Sequence, residues 1–423
     1  MTTATLYAPR TSSRRSTAWF VTAAWAIGLG LISGFSCIGL RLGFRALQWI
    51  FVQHSGTLPA AAVALSPARR VLTPALGALL AMAVLWAVRR WSLVGHSVDY
   101  VEAVRLRGGK MAFLPTLWRT LPSAFSIATG AAVGREGSMI QFSTALTAWV
   151  AERFPVRSAS RSLHIACGVA AAVAAVYQAP LAGVFFATEV VLGEWPWLDV
   201  PYLALASVTG WLVSRELLDS GPLFLVGDHF ALVRADLWAL PLALLLGLAA
   251  PAYQALLRSL EFTSSWRLPL LWSGLAVGAL SLLAPAVWGN GDVALTEVLR
   301  NPALPSIGLI LIVRLVATTF CVGSGTVGGV FTPTLFAGAA AGILAAHLVG
   351  AAQPTLLGVF GLSALLAAVT HAPLMASFMA VELTGQWKLW PALLILNLLA
   401  HSVARKISPQ SLYHIATSTP TEE

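Results

Sequence analysis

Leu315–Val381 reads LVATTFCVGSGTVGGVFTPTLFAGAAAGILAAHLVGAAQPTLLGVFGLSALLAAVTHAPLMASFMAV, 67 consecutive residues without Asp, Glu, Lys or Arg. No water-facing fold tolerates such a run, because a soluble domain carries about 25% charged residues. The rest of the chain continues the pattern: of 423 residues, 57% are apolar and only 10% are charged. At about 20 residues per membrane helix, that length holds on the order of a dozen or more spans with short loops. The chain therefore reads as an all-α polytopic membrane protein. Soluble enzymes, nucleic-acid-binding proteins and secreted disulfide scaffolds are excluded.

The same stretch is punctuated by Gly323–Gly329, Pro333, Gly338, Pro354 and Pro373. Such residues break helices, and broken backbone survives in a membrane only where protein buries it or a watery cavity solvates it. Working outward, charge-free runs at Ser16–Leu40, Val71–Val88, Ser162–Thr188, Val200–Ser214, Leu237–Leu257, Leu268–Gly291 and Leu389–Ala404 each approach the length of a crossing. Thr120–Gly134 is shorter and ends in Gly-Arg-Glu-Gly. Loops are expected at Arg153–Arg161, Leu217–His229, Arg258–Arg267 and Asn290–Ser306.

The net charge of +9 belongs to the flanks of these runs. Arg10, Arg14 and Arg15 precede the first span, Arg89 and Arg90 close another, and Arg405 and Lys406 follow the last. That bias places the amino terminus in the cytoplasm. Residues 1–16 read as a basic cytoplasmic tail, 17–217 and 218–405 as two membrane halves, and 406–423 as a short cytoplasmic tail. Only 17 residues follow Lys406, too few for a regulatory domain. Cys37, Cys167 and Cys321 are odd in number, lack metal-ligand spacing and read as buried, inert thiols.

Two halves are visible as a repeat. Gln178-Ala-Pro-Leu-Ala-Gly-Val-Phe-Phe-Ala-Thr-Glu189 lies over His371-Ala-Pro-Leu-Met-Ala-Ser-Phe-Met-Ala-Val-Glu382 at an offset of 193. The glycine-rich breaks at Gly134 and Gly328 are 194 apart. Paired helix breaks in a duplicated unit point to a transporter whose site lies where the breaks meet, near the midplane.

Both breaks carry chemistry. Gly134-Arg135-Glu136-Gly137 opens one half-helix, where glycines let the backbone approach a ligand and free amides favour an anion. Glu136 is itself an anion at that position, so it can occupy an anionic substrate's site and vacate it when protonated or displaced. A helix-capping role is the plainer reading, but ionisable groups inside membranes are functional by default. Gly323-Ser-Gly-Thr-Val-Gly328-Gly329-Val330-Phe331-Thr332-Pro333 contains GxGxxG, yet no acid follows before Glu382, so a dinucleotide site is rejected. It reads instead as the start of a second half-helix, with Val330 and Phe331 amides free for an anion and Pro333 in the first turn.

Gly134-Arg-Glu-Gly137, Gly329-Val-Phe-Thr-Pro333, Ala179-Pro-Leu-Ala-Gly183 and Tyr413, in that family's order, resemble the CLC family of chloride channels and proton-coupled antiporters. The segment Val98–Met111 resembles the family's sequence after its first selectivity loop. The resemblance implies a homodimer with an anion pathway in each subunit, built from inverted halves with about eighteen membrane helices, several broken or re-entrant. It implies that Glu136 is the gating glutamate, with Gly134, Gly137, Gly328 and Gly329 shaping the helix starts. Val330, Phe331 and Tyr413 would bind the anion, and the protein would lie in a bacterial inner membrane among lipid. No cofactor, metal, catalytic group or nucleic-acid partner is implied.

Three departures bear on mechanism. The family's first loop usually reads Gly-Ser-Gly-Ile-Pro, whereas here it is Gly95-His96-Ser97-Val98-Asp99. Either His96 or Ser97 takes the anion-contacting place, and Asp99 nearby would repel an anion unless paired or turned away. Ser138 follows Gly137 where Pro is usual, a change expected to matter little. Val190 stands where proton-coupled members carry an internal glutamate, so it cannot titrate, and Glu189 is the nearest possible relay. The expected function is chloride transport with weak or no proton coupling. The alternatives are an antiporter with a displaced relay, or a variant for fluoride or another anion.

Overall fold

The computed structural model describes residues 15–90, 97–156, 159–218, 221–224, 226 and 237–413. Among these residues there are seventeen α-helices, near the expected eighteen, and the β pairing is one isolated bridge. Five helical stretches are long and apolar enough to cross a membrane: Ala18–Val52, Pro67–Arg90, Ala239–Ser265, Phe331–Leu348 and Trp387–Ile407. Phe20, Trp49, Trp86, Leu245 and Ile395 are all more than half exposed. Such an apolar outer surface suits lipid rather than water.

The centre is built from equivalent helices of the two halves. α7 (Arg161–Tyr177) and α15 (Pro354–Thr370) lie 193 residues apart, as the repeat requires. Every residue of α7 from Leu163 onward and every residue of α15 from Thr355 onward is buried. Small residues allow this, since lipid gives helices no hydrophobic reason to associate and close backbone packing must do so. A side chain on Gly361 of α15 would collide with the Gly338 carbonyl on α14 (Phe331–Leu348). α6 (Arg135–Arg153) packs on α7 as α14 packs on α15.

After each central helix the chain reverses through a left-handed residue, Gln178 or His371, both at φ 57°. Proline then opens the next helix at its first position, α8 (Pro180–Phe185) and α16 (Pro373–Thr384). The expected single span Ser162–Thr188 is thus two helices. Gln178 hides the break from a reader looking for glycine, and its side chain makes the turn good by donating to Ala175 O (2.9 Å) and Ser214 Oγ (2.8 Å).

Glu189 and Glu382 cap each other's halves. Glu189 accepts from the Leu374 and Met375 amides at 3.3 and 2.8 Å, and Glu382 from Leu181 and Ala182 at 2.9 and 2.8 Å. Each acid lies downstream of one proline-opened helix and reaches the start of the other, so α8 and α16 run antiparallel. Phe185 stacks on Phe378, 193 residues away, at 4.5 Å and 3°. The two-fold relation of an inverted repeat therefore passes between these rings.

The halves differ just beyond. Three residues separate Glu189 from the left-handed Gly193, but only two separate Glu382 from Gly385. The extra residue is absorbed by a π-helical turn, Phe186–Leu192, a bulge frequent at functional sites. Arg105, in α4 (Tyr100–Arg105), clamps that turn by donating to Val190 O at 2.7 Å and Val191 O at 3.2 Å.

Two further expectations change. Leu268–Gly291 is not one span, because α11 (Pro269–Leu283) stops ahead of Pro285. The expected loop Asn290–Ser306 contains α12 (Asp292–Arg300), whose charges belong to a short amphipathic helix. All three cysteines are free and buried.

Candidate functional site

The two glycine-rich breaks meet. Gly134 N donates to Gly329 O at 2.6 Å and Gly329 N donates to Gly134 O at 2.7 Å. This reciprocal bridge places the starts of α6 and α14 back to back. Glycine is required by proximity here, since a Cβ on Gly137 would lie 3.0 Å from Gly329 Cα. The Val330 and Phe331 amides precede the first bond of α14, Thr334 N to Val330 O at 2.9 Å, and bond no backbone carbonyl themselves. They are the orphan donors of a helix start.

Glu136 is the second residue of α6 and only 6% exposed. Its carboxylate folds back over its own helix start, with Oε2 2.5 Å from where a Gly134 Cβ would stand. Oε1 accepts a short hydrogen bond from Asn290 Nδ2, and Oε2 has no partner. Arg135 Nε lies 3.9 Å from Oε1, while Arg135 Nη2 pairs with Asp292 at 3.3 Å. Asn290 is delivered by a loop that Arg314, fully buried on α13 (Ile307–Gly323), holds through Ala286 O (2.6 Å) and Gly289 O (3.0 Å).

Two cavities meet this carboxylate from different directions. One, of about 140 Å³, is lined by Arg41, Arg135, Asn290, Asp292 and Thr332 together with Glu136 and Tyr177. The other, of about 360 Å³, is lined by Ser138, Val330, Phe331, Arg119 and Tyr413, again with Glu136 and Tyr177. Glu136 and Tyr177 are common to both. Amide donors and cationic side chains, which suit an anion, line these cavities together with Asp99, Glu261 and Asp292, and Glu136 borders both.

The voltage gated chloride channel family profile matches residues 77–405. The chain is 36% identical over 413 residues to the voltage-gated ClC-type chloride channel ClcB of Citrobacter koseri, covering 92% of this chain and 97% of that protein. The chain belongs to the CLC family. Its fold matches a slow cyanobacterial Cl⁻/H⁺ antiporter with a TM-score of 0.81 at 22% identity, over 94% of this chain and 97% of that one. It also matches a CLC-type fluoride/proton antiporter with a TM-score of 0.76 at 19% identity, over 96% and 98%. CLC proteins are transporters and channels rather than enzymes, and this member is a membrane-spanning anion transporter with bacterial relatives.

The CLC site collects some expected residues and not others. Glu136, Gly137, Gly328, Gly329, Val330, Phe331 and Tyr413 line the larger cavity, and Gly134 adjoins it through the bridge. The Tyr413 ring meets Phe186 edge-on at 5.5 Å. His96 lies outside the described residues. Ser97 does not line either cavity, and its hydroxyl accepts from Arg119 Nη1 at 3.2 Å. Asp99 does line the larger one, with its carboxylate turned to cap α4 through Val101 N at 2.8 Å. Glu189 and Val190 line neither cavity. Asn290 and Tyr177 went unread in the sequence. Gly289-Asn290-Gly291 signals only a turn, and Tyr177 ends an otherwise featureless Ala/Val run.

Proposed function

We propose that the protein carries chloride across the bacterial inner membrane, amino terminus in the cytoplasm, as a homodimer with one pathway per subunit and Glu136 as its gate. The observation that carries this reading is the position of one buried carboxylate between two cavities, over an amide-rich helix start, with one oxygen unpartnered. A carboxylate there competes with an anion for the same donors. The Asn290 cavity is then the outer mouth and the Tyr413 cavity the inner one, with Val330, Phe331 and Tyr413 around the central anion.

Proton coupling is weak or absent in this reading. A proton crossing about 30 Å of hydrocarbon needs titratable stations on both sides of the barrier. Val190 offers none, and both Glu189 oxygens already serve the start of α16, which favours a structural role over a displaced relay. The test uses proteoliposomes with the potential clamped, following chloride and proton together. Glu136→Gln should conduct chloride without pH dependence, and a chloride gradient should drive little uphill proton movement in the unmodified protein. Unaltered flux and pH response in Glu136→Gln would remove the gate; vigorous pumping at fixed stoichiometry would establish an antiporter.

A further inference from the structure

We propose that Ser138 and Tyr177 are anion ligands, supplying through side-chain hydroxyls what the first loop's Ser97 does not. The inference rests on the reading of this passage as the anion pathway. Ser138 is 5% exposed and its hydroxyl has no hydrogen-bond partner, while Tyr177 is 3% exposed and its hydroxyl meets only that of Thr332. Buried hydroxyls are normally satisfied, so the Ser138 orphan needs an explanation. Both residues line the cavity that contains the Val330 and Phe331 amides.

Their positions make them complementary. Ser138 is the fourth residue of α6, so its hydroxyl belongs to the same helix start as the Glu136 carboxylate. It makes none of the bonds to the preceding turn's carbonyls that a helical serine often makes. Tyr177 closes α7 and packs its ring on Phe331 at 4.9 Å, against the residue that opens α14. Lining both cavities, it stands beside Glu136 where an ion must pass. The Thr332 hydroxyl that meets it is also buried, and Thr332 lines the smaller cavity with Asn290. Ser97 accepts from Arg119 and lines neither cavity.

A dehydrated halide needs several donors at once, and backbone amides from one helix start supply only part of that shell. A hydroxyl can turn its proton toward the ion without strain, and a hydrogen bond to an ion is stronger than one between neutral groups. Replacing Pro by Ser after Gly137 therefore adds a ligand rather than merely preserving a first turn.

The test is chloride calorimetry on the purified full chain, with Glu136→Gln and Tyr413→Ala as references and gel filtration and thermal unfolding as checks on folding. Ser138→Ala and Tyr177→Phe should each weaken chloride binding about tenfold, the loss of one ion-directed hydrogen bond. Ser138→Thr should recover much of what Ser138→Ala loses, because it returns the hydroxyl. The isosteric Tyr177→Phe keeps the test decisive if Ser138→Ala folds poorly. Wild-type affinity in both hydroxyl variants, with altered binding or flux in the references, would overturn the ligand assignment and leave the pathway standing. Wild-type affinity and flux in all four would overturn both.

Discussion

The chain contains two places where paired helix starts from the two halves confront each other, and they are resolved in opposite ways. At α8 and α16 each start receives a carboxylate from the other half, so four amides meet four oxygens and the arrangement is symmetric. At α6 and α14 only one start carries an acid. Glu136 has no counterpart across the bridge, where aromatic Phe331 follows Val330; its Oε2 and the Ser138 hydroxyl are unpartnered, and the two residues line one cavity. A carboxylate inside a membrane protein is thus not informative by itself. A reciprocated acid with both oxygens used belongs to the scaffold, and an unreciprocated one with an oxygen to spare belongs to the passage.

The sharpest way to break this contrast is Glu382→Ala. It strips the amides of Leu181 and buried Ala182 of their acceptors, at about 1–3 kcal/mol for a buried unsatisfied group. We expect a large loss of thermal stability and of folded yield in detergent, where Glu136→Ala should cost little. A Glu382→Ala protein that melts with the wild type would dissolve the distinction between the two regions.

The next effect is on transport. Glu136→Ala combined with Tyr413→Ala should clear both ends of the passage and raise chloride flux in proteoliposomes about tenfold or more, with folding intact. If the double variant conducts no faster than Glu136→Ala alone, Tyr413 is an aromatic anchor and not a barrier.

The smallest effect refines the Glu136 side. Asn290→Ala removes the one side-chain donor that holds Oε1, leaving Arg135 at 3.9 Å as the remaining restraint. A hydrogen bond to a charged group nets roughly 1.5–3 kcal/mol, less where water re-enters, so chloride flux should rise about two- to fivefold as the carboxylate swings free more often. Equal flux would assign Asn290 to the loop's own geometry.

Much of this was legible before any coordinates. The 67-residue charge-free stretch reports the class because charge density scales with wetted surface, and the 193-residue offset reports the duplication because helix length and break position repeat with it. The repeat also aligns Glu189 with Glu382, which suits a shared packing role. Other features left no trace. Gln178 adopts a glycine's backbone conformation, stabilised by a distant Ser214. The extra residue before Gly193 can be counted, but nothing local says that it becomes a π turn. Ser138 looked inert because first-turn propensity is the same for Ser and Pro, and only the cavity beside it distinguishes them. Asn290 acts through a loop that a remote arginine holds, a relation no local pattern encodes.

The Gly134–Gly329 bridge limits how the machine can move. Two backbone hydrogen bonds tie the halves together at the starts of α6 and α14, beside Glu136. Separating them would leave four backbone polar groups without partners, each costing about 1–3 kcal/mol where it stays buried. A cycle that rocks one half against the other about its centre would have to break this tie on every turnover. The economical moving part is a single side chain swinging beside a fixed seam, and such a part can act on the timescale of a rotamer change rather than of a domain.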